Sequence, residues 1–402
     1  IIQNHTNAGF APAVNQAARA TQADYLALIN NDAAAEADWL AVLVAEIAAY
    51  RDDGVICVGS LMLDWEGQRI DFINSGINYY GHGNQPLHQL PVAAVADQPH
   101  ELLFACGGAM LVDRAAFLEI GGFDEDYFAY FEDVDFGWRT WLYGYKVRFT
   151  PQAVVRHRHH ATANTMYGHQ VRKLLERNAL ATIIKNYDDH NLQRILPAAL
   201  LLMLKRSLLD AGTSFDRREF DLRRRDSSSF NPTMEVPKIM LSYIAALGDV
   251  IEDWPRLWSQ RSLIQARRKR PDTAILPLFQ QPFAVIDLDL SLHLFQETMT
   301  ETFNLRSIFE PGQTTNVLIV STDPLHDQLA GPGIRAVEMA RYLSQTCHVV
   351  LAAPERAEIA IPDVRCIAFP RDDPAMLQHL ANGVEVVIVQ GYTLSKYPAL
   401  HE

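Results

Sequence analysis

Tyr25-Leu26-Ala27-Leu28-Ile29 runs directly into Asn30-Asn31-Asp32, and this stretch decides the fold of the first part of the chain. The apolar residues predict a strand, and the polar residues come where an α/β fold places ligand groups, at the carboxyl end of a strand. An apolar helical pattern from Trp39 to Tyr50 and a further strand from Gly54 to Val58 follow. Alternation of strands and helices predicts an α/β sheet.

The chain divides into three parts by its pattern of predicted strands and helices. Residues 1–162 carry this alternation, and residues 163–310 are mostly helical with linker. Residues 311–402 contain a strand from Val317 to Val320, a loop at Gly331-Pro332-Gly333, and then a helix and a second strand. That order predicts the start of a Rossmann-like domain. Because the chain begins and stops inside apparent structural elements, we expect a piece cut from a longer protein at both ends.

Composition excludes several classes of function. Hydrophobic residues make up 49% and charged residues 21% of the chain, as in an ordinary globular protein. A net charge of -13 argues against a nucleic-acid partner. The apolar run from Ile195 to Leu204 is too short for a membrane span, which needs about 20 residues. The scattered cysteines predict reduced thiols and a cytoplasmic location.

Two basic runs could bring the protein to the inner face of the plasma membrane. These runs are Arg223 to Arg225 and Arg267 to Arg270, and such clusters can contact anionic lipid headgroups. A solvated linker is the favoured interpretation of both runs. Peripheral membrane contact therefore stays the second interpretation.

Three segments of the first part offer chemistry. Asp32 is an oxygen ligand suited to Mg²⁺ or Mn²⁺, although a strand-ending turn alone accounts for Asn30-Asn31-Asp32. Phe131 to Arg139 carries three carboxylates, whose crowding either makes a proton acceptor or complements a helix N-terminus. His157 is either a metal ligand or part of a solvated basic loop that continues to His160.

These segments form an ordered series with other motifs. The series runs Asn7-Ala8-Gly9-Phe10-Ala11 with Asn15, Asn30-Asn31-Asp32, Cys106-Gly107-Gly108-Ala109-Met110-Leu111-Val112, Gly121-Gly122-Phe123-Asp124-Glu125, Glu132-Asp133-Val134-Asp135 with Arg139, and His157. It resembles family 2 glycosyltransferases, the inverting GT-A class, above all bacterial rhamnosyltransferase-like and galactofuranosyltransferase-like members. The resemblance covers about residues 1–190, and it implies the GT-A nucleotide-diphospho-sugar transferase fold followed by a helical extension.

The resemblance also implies roles for individual residues. Asp133 matches the catalytic base, and Asp32, His157 and Asn30 match the metal motif for Mg²⁺ or Mn²⁺. The implied donor-side residues are Asn7, Gly9, Asn15 and Asn31, and the implied acceptor-side residues are Gly107, Gly108, Glu132, Trp138 and Arg139. We therefore expect Asp32 and His157 to come within reach of one ion, with Asp133 facing the same cleft. The family's first strand and its base-reading acid would precede residue 1, so the fragment itself is expected to be weak or inactive.

The last part resembles the N-terminal half of a family 4, GT-B-type glycosyltransferase, on Val317 to Val320 and on Gly331-Pro332-Gly333-Ile334-Arg335 with Glu338. The implied function is inverting, metal-assisted sugar transfer in cell-surface polysaccharide biosynthesis. The donor would be a nucleotide-diphosphate sugar, with TDP-rhamnose as the first suggestion, and the acceptor a glycan or lipid-linked saccharide.

Two other classes of function remain open. One is a catalytically inactive carbohydrate-binding or scaffold module. The other is a metal hydrolase using His157 to His160, which is disfavoured because hydrolytic zinc sites use shorter, helix-compatible ligand spacings. Arg177 in the helical extension could reach a diphosphate, although a solvated helix face is the favoured interpretation of that segment.

Overall fold

The computed structural model describes residues 2–73, 76–95, 98, 100–158, 168–212, 236–286, 289–310, 316–326, 329–355, 357, 359–370, 374–382, 384–389 and 400. The chain forms two compact units, residues 1–305 and residues 306–402. The division into parts ending at residues 162, 310 and 402 stays a prediction. His159, His160 and the run from Arg223 to Arg225 lie outside the described residues.

The N-terminal unit contains a mixed sheet in the order β1-β7-β3-β8-β2, with β4 on β3. Its strands are β1 (Tyr25–Ile29), β2 (Ala33–Ala35), β3 (Val55–Asp64), β4 (Ile70–Phe72), β7 (Ala109–Asp113) and β8 (Lys146–His157), and β5 (Gly76–Ile77) pairs with β6 (Gly83–Asn84) apart from it. Within this sheet β3 and β8 are parallel, while β1 pairs with β7 and β2 with β8 in antiparallel fashion. The α/β expectation is confirmed for this unit.

Helices cover the sheet and build a second layer beside it. They are α1 (Phe10–Ala20), α2 (Trp39–Ala49), α3 (Arg114–Ile120), α4 (Glu132–Leu142), α5 (Gly168–Asn186), α6 (Asp189–Asp210), α7 (Lys238–Glu252), α8 (Trp254–Ala266) and α9 (Leu290–Thr302). One face of α2, with Trp39, Leu43 and Ile47 at helical spacing, packs on the sheet core around Val58 and Leu111. Within the described residues, no helix has the length and apolarity to span a membrane.

The C-terminal unit is built around a parallel sheet of four strands in the order β11-β10-β9-β12. Its elements are α10 (Arg306–Phe309), β9 (Asn316–Val320), α11 (Gly331–Leu343), β10 (His348–Pro354), β11 (Val364–Phe369), α12 (Pro374–Asn382) and β12 (Val386–Val389). Here the expected loop at Gly331-Pro332-Gly333 is wrong, because these residues form the first turn of α11. Proline tolerates that position since its missing N–H would have no partner there.

Candidate functional site

Strand pairing brings Asp32 and His157 together. Asp32 immediately precedes β2, and Ala33 is the register partner of His157 at the end of β8. The Nε2 atom of His157 lies 3.2 Å from Oδ1 of Asp32. That oxygen is buried and accepts no hydrogen bond from the described residues. The expected approach of the two side chains is therefore observed.

The other ring nitrogen of His157 contacts a residue that the sequence did not single out. Nδ1 lies 2.7 Å from Oδ2 of Asp71, a carboxylate buried on the short strand β4. The hydrogen bond to Asp71 is the main cause that raises the pKa of His157 above its usual value. Asp71 is a single acid in a strand of three residues, and no sequence spacing marks it as a partner of His157. Only the register of β3 with β4 and β8 shows that the two residues lie close together.

The Asp32–His157 pair fits a divalent cation. Two ligand atoms about 2.1 Å from one ion, in neighbouring octahedral positions, are about 3 Å apart, close to the separation observed. Buried Oδ1 of Asp32, without a hydrogen-bond donor, is the kind of atom that a cation satisfies. Among the described residues no cluster of three or more His, Cys, Asp or Glu side chains could hold a metal. The protein would thus supply two ligands and leave the other positions to substrate and water.

A cavity of about 1380 Å³ opens beside this pair. Eight of the thirteen predicted site residues line it: Asn7, Gly9, Asn30, Asn31, Gly107, Gly108, Glu132 and Asp133. Asp32 and His157 are not in the lining, but Asn31, next to Asp32, and Phe72, next to Asp71, are. Asn30 donates its backbone N–H to Gly108 O at 2.9 Å, which ties the end of β1 to the cavity wall.

Aromatic rings give the cavity its apolar surface. Six of the lining residues are aromatic: Phe10, Phe72, Phe104, Phe128, Tyr130 and Phe131. Helix α5 contributes Gln170, Lys173 and Leu174 to the lining. Aromatic faces combined with a small number of polar groups are typical of a site for an organic ligand.

Asp133 lies at the start of α4 and is held by backbone donors. Gly107 N–H donates to its Oδ2 at 3.0 Å, and Val134 N–H donates to its Oδ1 at 2.8 Å. A Cβ at Gly107 would approach the Phe10 ring to 3.0 Å, so glycine keeps this wall open. Burial nonetheless raises the pKa of Asp133 above its usual value.

Glu132, the neighbour of Asp133, is more deeply buried. Its side chain lines the cavity, and its Oε2 atom has no hydrogen-bond partner among the described residues. Burial, and then the charge of Asp133, raises the pKa of Glu132 to about 8. Two adjacent carboxyls therefore resist carrying two charges at neutral pH, which suits proton acceptance from a substrate.

The loop before α4 is held in a strained backbone conformation. Phe128, Tyr130 and Phe131 have φ angles of 56°, 70° and 67°, in the left-handed region. The Nδ2 atom of Asn178 on α5 lies within 2.8–3.0 Å of the carbonyl oxygens of Tyr127, Ala129 and Tyr130. Such outliers persist where surrounding structure enforces them, and they cluster at functional sites.

Comparisons with known proteins agree with this geometry. Residues 1–121 match the model described as "Glycosyl transferase family 2", and residues 89–210 match "Glycosyl transferase family group 2". The N-terminal part of the chain is a family 2 glycosyltransferase domain. Its cavity, acid pair and metal-type pair all lie within the matched residues.

Curated relatives cover only a short part of this domain. It is 44% identical over 64 residues to the N-acetylglucosaminyl-diphospho-decaprenol L-rhamnosyltransferase of two Mycobacterium tuberculosis strains, CDC 1551 / Oshkosh and ATCC 25618 / H37Rv. The match takes in 16% of this chain and spans about a fifth, 21%, of those relatives' length.

Similar solved structures are also glycosyltransferases. One is GalNAc-T7 with UDP, GalNAc and Mn²⁺, at 15% identity and a TM-score of 0.37, covering 63% of this chain and 46% of that one. Another is the mannosyltransferase PcManGT of Pyrobaculum calidifontis with GDP-Man and Mn²⁺, at 16% identity and a TM-score of 0.32, covering 63% and 69%.

Behind the glycosyltransferase cavity, α4 is anchored by a buried ionic cluster. Asp135 accepts from Arg139 at 2.8 Å and lies 2.9 Å from Nζ of Lys185, which also contacts Asp124 at 2.6 Å. Asn186 donates to Asp135 at 2.9 Å. Lys185 and Asn186 belong to α5, so the helical extension fixes the helix that carries Asp133.

Three predicted site residues of the transferase domain lie in this supporting structure. Trp138 is fully buried against Tyr187 and Phe279. Arg139 donates to the carbonyl oxygens of Ile120 and Gly122, and Asn15 makes a reciprocal pair with the backbone of Phe123. None of the three is among the residues that line the cavity.

The basic side chains of the extension are also used internally. The expected solvated face at Arg177 is wrong: the side chain is 6% exposed, and it donates to Asp126 O and contacts Asp253 at 2.5 Å. Its charge is therefore neutralised within the fold. In the basic run from Arg267 to Arg270, Arg268 contacts Asp272, and Arg270 donates to Tyr145 O and Gly144 O.

Proposed function

We propose that the N-terminal unit transfers a sugar, with inversion, from a nucleoside-diphosphate sugar to a hydroxyl of a glycan or lipid-linked saccharide. The observation that carries the proposal is one aromatic cavity lined by a buried acid pair and flanked by Asp32 and His157. The family match supports the reaction class.

Asp133 is the proposed general base. As the acceptor oxygen attacks the anomeric carbon, its proton passes to Asp133, and the bond from that carbon to the diphosphate oxygen breaks on the opposite face. The N–H groups of Gly107 and Val134 fix the carboxylate without preventing protonation, because each oxygen keeps a second lone pair. A pKa raised by burial makes this carboxylate a better proton acceptor.

Asp32 and His157 would hold Mg²⁺ or Mn²⁺. When bound, such an ion neutralises charge that develops on the departing diphosphate. The aromatic rings would pack against sugar faces and exclude water, and Asn7 and Asn31 line the wall where the donor is proposed to lie. Glu132, largely protonated at neutral pH, can donate a hydrogen bond to a sugar hydroxyl.

TDP-rhamnose is the donor to test first. The local identity to the mycobacterial L-rhamnosyltransferases supports this choice, and their printed name describes a diphospho-decaprenol-linked acceptor. A lipid-linked acceptor would place the reaction at the cytoplasmic face of a membrane, within cell-surface polysaccharide synthesis.

For the C-terminal unit, the parallel order β11-β10-β9-β12 with α11 between β9 and β10 supports our proposal of a Rossmann-like half of a GT-B transferase. We propose no step in the N-terminal reaction for it. Arg335 is exposed as the fifth residue of α11, and Arg335→Ala is therefore expected to leave transfer unchanged.

The test compares Asp133→Asn with Asp38→Asn, an exposed acid before α2, by release of nucleoside diphosphate from a donor panel. Losing the base should lower turnover about 10²- to 10⁴-fold, while donor affinity stays unchanged. Turnover within a few-fold of wild type would remove Asp133 as the base. Glycan binding without turnover, insensitive to Mn²⁺ and to this substitution, would instead support the scaffold alternative.

A further inference from the structure

Asp71 joins His157 from the side opposite Asp32. Its carboxylate is 3% exposed on β4, and Oδ2 lies 2.7 Å from Nδ1 of His157. The imidazole therefore stands between two carboxylates, with Nε2 3.2 Å from Asp32 Oδ1. The position of the ring depends on both contacts.

A neutral imidazole has one N–H and one lone pair, and the hydrogen bond at one nitrogen decides which nitrogen keeps the lone pair. A carboxylate accepts hydrogen bonds only, and the contact with Asp71 at 2.7 Å is much shorter than the contact with Asp32 at 3.2 Å, so the neutral ring keeps its proton on Nδ1. The lone pair then lies on Nε2, the atom that faces Asp32. Metal-bound histidines commonly have such a carboxylate behind them.

We propose that Asp71 is a positioning residue that fixes the ring and tautomer of His157, so that Nε2 and Asp32 Oδ1 present two ligand atoms to one divalent cation. This inference rests on the metal site of the proposed function. Asp71 itself does not touch the cation, because the imidazole ring lies between them.

Residues that connect Asp71 to the strands support this role. The register pairs of β4 with β3, Met62 with Phe72 and Leu63 with Ile70, flank Asp71 on both sides. On the parallel side of β3, the partners of Leu63 and Asp64 are Arg156 and His157. Strand β3 thus sets the positions of Asp71 and His157 together.

Mn²⁺ binding to the whole chain, followed by the EPR signal of the free ion, tests the inference without requiring turnover. Asp71→Ala is expected to weaken Mn²⁺ binding about 10- to 100-fold. Asp71→Asn should have a smaller effect, because its amide oxygen can still accept from Nδ1. Glu36→Gln is the matched control: Glu36 contacts Arg156, the neighbour of His157, at 3.0 Å, and its loss should leave Mn²⁺ affinity unchanged.

The ¹⁵N chemical shifts of His157 give a readout that a merely structural role of Asp71 would not move. Wild type should show the proton on Nδ1, and Asp71→Ala should shift the tautomer toward Nε2–H. If Asp71→Ala does not fold, Asp71→Leu carries the same measurement, because it keeps the size of the side chain and offers Nδ1 no acceptor.

Asp32→Asn distinguishes a failure of this inference from a failure of the proposed metal site on which it rests. If Asp32→Asn weakens Mn²⁺ binding and Asp71→Ala does not, the role of Asp71 is overturned and the metal site stands. If Asp32→Asn binds Mn²⁺ as well as wild type, the metal site fails, and the inference about Asp71 with it.

Discussion

Lys185→Met tests whether the helical extension stabilises α4, the helix that carries Asp133. The Nζ atom of Lys185 is buried between Asp124 and Asp135, at 2.6 and 2.9 Å. Removing one partner of a buried ion pair costs about 3–5 kcal/mol, because the remaining charge has no compensation. Arg139 and Arg256 still contact these two carboxylates, at 2.8 and 3.5 Å. We therefore expect a loss near the lower end, about 3 kcal/mol.

The assay is urea unfolding followed by tryptophan fluorescence, with Lys146→Met as the matched control. Lys146 contacts Glu101 at 2.7 Å, but the two side chains are 29% and 41% exposed. An exposed pair contributes about 0–1 kcal/mol. Adding Asp124→Asn to Lys185→Met should recover part of the loss, because one stranded charge disappears. A difference of less than about 1 kcal/mol between the two Lys→Met variants would refute the reasoning.

Three further outcomes follow from single positions. Gly137→Ala should lower the melting temperature, because a Cβ there would lie 2.3 Å from Phe104 Cβ and 2.6 Å from Leu103 O; an unchanged melt would mean that the packing relaxes. Buried charged partners lower the pKa of Glu176 to about 2. The contribution of Glu176 to folding stability is therefore present above the unfolded pKa and is lost as pH falls toward 2. Glu176→Gln should flatten this acidic part of the dependence of the unfolding free energy on pH. The pKa of Glu132 is raised to about 8, so stability should fall as pH rises from the unfolded pKa toward 8; Glu132→Gln should remove that slope, and an unaltered slope would contradict the assignment.

Strongly periodic segments were predictable because their signal is local. The apolar run Tyr25–Ile29 forms β1 as expected, and the helical pattern from Trp39 packs one face on the sheet. Helix α5 lies in the part expected to be helical, but the expected solvated face is not observed on it. Glu176 and Lys185 are buried because their charged partners come from distant parts of the chain, which periodicity does not record.

The order of the candidate site residues along the chain was predictable from the sequence, but the residues that hold them in position were not. Residue type and motif order placed Asp32, His157 and Asp133 in one region, and β2 pairing with β8 brings the first two together. Asp71 was missed because its significance lies in register, not in spacing. The resemblance implies an acceptor-side place for Trp138, but this residue is fully buried against Tyr187 and Phe279 and does not line the cavity.

The amide of Asn178 has a consequence for exchanging modules between enzymes of this kind. A single side chain from α5 holds three carbonyls of the loop that precedes α4. A chimera joined at residue 162 would place the sheet and α4 beside a foreign helix, and the loop would lose the Asn178 amide that its three carbonyls contact. A chimera of this protein should therefore keep α5 with the sheet that precedes it, and place the junction after Asn186.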